Sequence, residues 1–162
     1  MDGLVRGFTG EGRGKTSAAM GLTLRAAGAG RRIYIARFLR DWEDEEWRGL
    51  VRLDGDVMFR QFGRPGLMEE ELRPDDYQEA REALDEIHRA IRSGVYSLVI
   101  LDDVNVAACL GLFSVDDLLG LIEAKPREVG LVFAGCCADP RLIRKADRVT
   151  MMQEVKGRDA GA

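Results

Sequence analysis

Residues 9–16 read Thr-Gly-Glu-Gly-Arg-Gly-Lys-Thr, a glycine-rich run closed by a lysine and a hydroxyl residue. That combination suits polyphosphate chemistry. Glycines at 10, 12 and 14 let backbone N–H groups turn toward an anion. Lys15, the candidate catalytic residue, can set its ammonium on terminal phosphate oxygens, and Thr16 can offer its hydroxyl to Mg²⁺ or Mn²⁺. The candidate ATP-phosphate site is therefore Thr9, Gly10, Glu11, Gly12, Arg13, Gly14, Lys15, Thr16 and Ser17. The run departs from G-x-x-x-x-G-K-[ST] at its first position, where Thr9 replaces glycine. The plainer alternative is a glycine-rich turn before a helix. An apolar strand before the run and a helical pattern after it favour the phosphate site, because a helix N-terminus adds partial positive charge.

A second constellation is acidic. Four apolar residues, Leu98-Val99-Ile100-Leu101, end in Asp102-Asp103. A carboxylate at a strand end can hold a divalent ion directly or through water in such sites. Thr16, Asp102 and Asp103 are the candidate metal ligands. One of the two aspartates could instead cap a helix starting at Val104, and both roles can hold at once.

These groups must be brought together by the elements between them. Strands are expected at residues 4–8, 33–39, 57–62, 97–101, 130–134 and 148–151, several of them continuous apolar runs of the kind buried on both faces. Helices are expected at 15–27 and 75–92, the second with Tyr77, Ala80, Ala83, Leu84, Ile87 and Ile91 near one face. Ser114 with Asp117 reads as a capping box, and Asp139-Pro140 as a cap followed by proline at the first helical position. The alternation predicts an α/β fold, a mostly parallel central sheet with helices on both faces, and the loop at 9–16 makes the P-loop (RecA-like) architecture the expected one. Ligands of such sheets lie at the carboxyl ends of the strands, where Asp102 and Asp103 fall. Residues 1–156 read as one nucleotide-binding domain and 157–162 as a flexible tail.

Composition narrows the partners. The chain has 162 residues and is 46% hydrophobic, enough for a core. No apolar run approaches the roughly 18–20 residues of a membrane span. The opening MDGLVRGFTG has no signal-peptide pattern. The three cysteines include no Cys-x-x-Cys pair and there is one histidine, His88, which argues against structural zinc. A reducing, cytoplasmic setting is expected. Net charge is −4, yet residues 1–66 hold 12 of the 24 basic residues and only 9 of the 28 acidic ones. That balance disfavours nucleic acid and allows a local site for a small anion.

The chain resembles the P-loop type ATP:corrinoid adenosyltransferases, the cob(I)alamin and cob(I)yrinic acid a,c-diamide adenosyltransferases. Their loop reads T-G-x-G-K-G-K-T-T, and here TGEGRGKTS stands at 9–17, including the threonine that a strict motif lacks. Arg37-Phe38-Leu39-Arg40, the Phe-Gly-Arg-Pro-Gly run at 62–66, Leu101-Asp102-Asp103, the 146–152 segment and Val155-Lys156 match in order over nearly the whole chain. The resemblance implies transfer of the adenosyl group of ATP to the Co(I) centre of a corrinoid, with triphosphate leaving. It also implies a homodimer, and a flavoprotein or similar electron donor as partner.

Several positions depart from that pattern. The corrinoid-side candidates are Arg40, Phe62, Gly66, Leu67, Met68 and Cys136. Where the resemblance implies Gly-Phe, this chain has Gly66-Leu67, so Phe62, Trp42 or Trp47 either supplies the aromatic face or packs in the ordinary way. Gly135-Cys136-Cys137 stands for Gly-Arg-Gly. Those cysteines either act on the corrinoid, form a redox pair, or are small, partly buried side chains. Asp103 replaces glutamate, Gly157 replaces histidine, and the resemblance implies a longer C-terminal segment. Arg37 or Arg40 reaches a phosphate or a corrinoid side chain, or is solvated. Residues 43–46 read as the solvated face of a helix, and His88 as a surface or boundary residue.

Overall fold

The computed structural model describes residues 3–39, 45–50 and 56–157. Arg40, Trp42 and the tail at 158–162 lie outside the described residues, as do residues 43 and 44 of the acidic run and the side chains of residues 45–47. In chain order the elements are β1 (Val5–Thr9), α1 (Lys15–Ala27), β2 (Ile33–Phe38), α2 (Glu45–Leu50), β3 (Val57–Phe62), α3 (Pro74–Arg92), β4 (Leu98–Asp102), α4 (Val104–Cys109), α5 (Val115–Ala124), β5 (Gly130–Ala134), α6 (Pro140–Lys145) and β6 (Arg148–Met151). The strands form one sheet in the order β3-β2-β4-β5-β1-β6. Every pairing is parallel. None of the described helices is long and apolar enough to cross a membrane.

The continuous apolar strands are explained by two cores, one on each face. Side chains alternate along a strand, so register decides which core each joins. Ile33 pairs with Leu98 and Ile35 with Ile100. These four join Val132, Ala19, Met20 and Ala26 of α1, and Leu50 of α2. The alternate residues, Tyr34, Ala36, Phe38, Val99, Leu101 and Phe133, pack with α3, α4, α5 and Leu142 of α6. Phe38 packs at a tilt against Phe62 and meets Phe113 edge-on, each pair with centroids 5.6 Å apart.

The expected caps form. The Asp117 carboxylate accepts from Ser114 N–H at 2.7 Å, and Ser114 Oγ accepts from Asp117 N–H at 3.2 Å. Asp139 accepts from Arg141 N–H at 2.7 Å, with Pro140 opening α6. One boundary differs where it matters: β4 runs through Asp102 rather than stopping at Leu101, because Asp102 pairs in register with Arg37 of β2. The chain leaves β1 through α1 toward β2, whereas it crosses from β5 through α6 to β6 on the other side of β1. The carboxyl end of β1 is thus the point where connections diverge, the usual place for a ligand crevice in such sheets.

Candidate active site

The glycine-rich loop leaves β1 and curls back to open α1. Gly10 and Gly14 both take the left-handed backbone, at φ 96° and 103°. The Lys15 ammonium donates to the Gly10 and Gly12 carbonyls, at 2.7 Å each, and so sits at the centre of the curl. A cavity of about 490 Å³ lies over it, lined by Glu11, Gly12, Arg13, Gly14, Lys15, Thr16, Ser17 and Asp103. Glu11, Arg13 and Ser17 are exposed there, and Lys15 and Thr16 half-buried.

Two members of the expected phosphate set are engaged elsewhere. Thr9 is buried as the last residue of β1; its hydroxyl accepts from Ala138 N–H at 3.4 Å and its carbonyl from Met152 N–H at 2.7 Å. Gly12 N–H donates to the Met152 carbonyl at 2.9 Å rather than into the cavity. The glycines at 10 and 12 therefore admit the segment after β6. A Cβ at Gly12 would lie 2.8 Å from the Gln153 backbone. The threonine that departs from the strict motif has a physical role beneath the loop, tying β1 to the turn after β5.

On the α1 face of the sheet, residues 33, 35 and 37 of β2 and 98, 100 and 102 of β4 share one pleat parity. Asp102 consequently points toward α1, where Thr16 Oγ1 donates to its Oδ1 at 3.1 Å. Its Oδ2 lies 3.6 Å from Nε of Arg37. Asp103 caps the start of α4 with φ 55°, in the left-handed region, makes no side-chain cap bond, and is one of the residues lining the cavity. Gly135, at the end of β5, keeps this turn tight: a Cβ there would meet Asn105 at 3.2 Å and Asp103 at 3.3 Å. Asn105 seals the contact by donating to the Gly135 carbonyl at 3.1 Å.

Thr16, Asp102 and Asp103 offer hard oxygen donors, the chemistry that Mg²⁺ or Mn²⁺ takes. Among the described residues no three His, Cys, Asp or Glu side chains are arranged to hold a metal by themselves. An ion that takes few protein ligands and completes its shell with nucleotide phosphates and water fits this set.

The residues expected on the corrinoid side are dispersed in role. Phe62 is part of the aromatic cluster with Phe38. Gly66, at φ 67°, donates its N–H to the Leu39 carbonyl at 3.1 Å. Leu67 is buried in the core, and it is Met68, 60% exposed, that this loop presents to solvent. Arg37, expected at a phosphate, a corrinoid or solvent, is instead inside the sheet beside Asp102. His88 is half-buried in a groove between α3 and α5.

The loop at 62–68 is held to α3 by an ion pair that spacing does not single out. Arg64 donates to both Asp76 oxygens, at 3.0 and 2.9 Å, and to the Glu71 carbonyl at 3.0 Å. The Arg64 hydrogen bonds, reinforced by the Arg73 backbone N–H, hold the Asp76 carboxyl below its usual range. A depressed folded pKa gives stability that is present above the ordinary carboxylate range, about pH 4, and lost as pH falls through the lower folded value. Asp76→Asn is therefore expected to flatten the acid limb of a Tm-against-pH curve between about pH 5 and 3. Thermal melts across that range check it; identical acid limbs for the two proteins would refute it.

Cys136 is half-buried, with Cys137 and Cys109 exposed, and all three are free thiols. Cys109 lies one helical turn beyond Asn105 and lines a cavity of about 400 Å³ with Cys137. Hydrogen bonding to Cys136, then burial and Cys109, push the Cys137 thiol up to about 12. The meeting of Cys109 with the 136–137 pair has no signal in sequence spacing.

A glycine-rich loop with a central lysine, a helix hydroxyl on a strand-end aspartate, and an all-parallel sheet define the P-loop nucleotide-binding class. The assembled ATPase EscN from the type III secretion system of enteropathogenic E. coli has the same fold, with TM-score 0.54 and 17% identity over 92% of this chain and 42% of its own. A family model described as ATP:corrinoid adenosyltransferase BtuR/CobO/CobP matches residues 1–161, and the chain belongs to that enzyme family. The corrinoid adenosyltransferase of Pseudomonas aeruginosa is 30% identical over 95% of this chain and 76% of its own length. That of Escherichia coli K12 is 26% identical over 95% and 78%. An uncharacterized protein of Nostoc sp. is 32% identical over 91% of this chain, which spans 43% of that protein.

Proposed function

We propose that the chain transfers the 5′-deoxyadenosyl group of ATP to the Co(I) centre of a corrinoid. The electron pair of Co(I) forms the new cobalt–carbon bond at C5′, the C5′–oxygen bond breaks, and triphosphate leaves. The observation that carries this reading is the meeting of Thr16 with Asp102, 86 residues apart, at the mouth of the Lys15 loop. The loop amides, Lys15 and the α1 N-terminus hold the triphosphate and stabilise its charge as it departs, which is an electrostatic and positioning task. Thr16, Asp102 and Asp103 would hold a divalent ion, which would supply further neutralisation of the triphosphate. Arg40, Phe62, Gly66, Met68 and Cys136 are the residues we assign to the corrinoid. The protein acts as a homodimer in the cytoplasm, as one nucleotide-binding domain over residues 1–156, with a flavoprotein or similar donor supplying the electrons.

Burial of Leu67 favours a second reading, in which the chain binds ATP or adenosylcorrinoid as a carrier or regulator. One experiment separates them: incubation of the purified protein with ATP, Mg²⁺ and chemically reduced corrinoid, followed by product analysis. Adenosylcorrinoid with triphosphate supports transfer. Bound ATP without product selects the carrier. Release of orthophosphate or ADP selects a conventional ATPase or kinase and refutes both.

A further inference from the structure

One interior charge has no part in that scheme. Arg37 is 1% exposed and Asp102 0%, and their Nε and Oδ2 atoms stand 3.6 Å apart. Two and four residues earlier on the same face, the register pairs are Ile35 with Ile100 and Ile33 with Leu98. An apolar pair is thus what this face holds elsewhere. Burying an ion pair costs desolvation that its attraction scarcely repays. Asp102 is gripped from both sides, by Arg37 at Oδ2 and by Thr16 at Oδ1, at 3.1 Å.

We propose that Arg37 is a positioning residue for the nucleotide site. It orients the Asp102 carboxylate so that Oδ1 meets Thr16. Its charge also offsets that of Asp102, so the site presents less negative charge to a triphosphate when no divalent ion is bound. The inference rests on the loop at 9–17 being an ATP site. A fixed cation behind the metal-facing carboxylate attracts ATP when no metal is present and repels the metal when it arrives. Both effects shrink the gain in ATP affinity that a divalent ion brings.

Isothermal titration of the full chain with ATP, in Mg²⁺ and again in EDTA, tests this. The wild-type affinities are expected to differ by about tenfold or less, the size of one unit charge acting across a protein interior of moderate dielectric. In Arg37→Gln the two affinities are expected to separate to about a hundredfold, and in Arg37→Lys to stay near the wild-type ratio. An arginine that only supports the fold would lower the melting temperature and leave this ratio unmoved. A wild-type affinity that falls by more than about a hundredfold in EDTA overturns the inference whether or not the variants fold. So does an Arg37→Gln ratio equal to the wild-type one. If the wild-type chain binds no ATP under either condition, the proposed function itself fails and takes the inference with it.

Discussion

Replacing Lys15 with alanine is expected to lower kcat/KM for adenosyl transfer by about 10²–10³ and to weaken ATP binding in parallel. The ammonium is the cation placed at the centre of the curl, held at 2.7 Å from both the Gly10 and the Gly12 carbonyl. Those bonds fix its position before any phosphate arrives, so little side-chain entropy remains to be lost on binding. They also mark the site as narrow. Lys15→Arg keeps the charge but replaces a compact ammonium with a planar fork that does not fit between two carbonyls converging on one point. It is expected to recover less than about a tenth of the lost activity. Melting temperatures should change little in either variant, because Lys15 is half-buried and its partners can turn to water. Titration calorimetry with ATP, beside initial rates, gives the answer; wild-type ATP affinity in Lys15→Ala would remove the loop from the mechanism.

Gly10→Ala is expected to destabilise the fold by about 2–5 kcal/mol, the sum of a left-handed backbone cost and an overpacking cost. Its φ is 96°, and a Cβ there would stand 2.4 Å from the Met152 carbonyl oxygen and 2.9 Å from Met151. To make room, the segment after β6 must lift, and its two ladder bonds to Thr9 and Gly12, at 2.7 and 2.9 Å, must open. Gly14 is the internal control. Its φ of 103° is as demanding, but a Cβ would meet nothing within 4 Å. Gly14→Ala should therefore cost only the backbone share, about 1–2 kcal/mol. Denaturant unfolding of the two variants measures the difference. Equal costs would mean that the segment at 151–154 yields freely and that its packing against the loop contributes nothing.

The two glycines illustrate how far sequence reading reaches. Alternating glycines before Lys-Thr announce a loop that must turn sharply, and both Gly10 and Gly14 do adopt left-handed backbone. What each glycine makes room for is a different question. Gly12 N–H bonds to Met152, a residue 140 positions away, and nothing in the local pattern encodes that distance. The residues expected on the corrinoid side show the same limit. Leu67 looks like a loop residue on display because it follows Gly66, yet burial in the core takes it and leaves Met68 outside. The fold class was more legible, because runs buried on both faces have few alternatives to a covered parallel sheet. The end of β4 lies one residue beyond the apolar run, since a charge at 102 reads as the end of such a run until Arg37 is seen opposite it.

The sequence by itself determined the phosphate loop, the strand-end carboxylates and the α/β alternation, since each is written in contiguous residues whose chemistry and spacing act locally. Only the tertiary structure decided which partners those groups meet. Strand order set β2 beside β4, and the pleat then turned Arg37 and Asp102 to the side where α1 carries Thr16. It likewise brought Met152 under the loop and Cys109 to the pair at 136–137. Register and strand order arise from the fit of two whole cores, a property of all the buried side chains together.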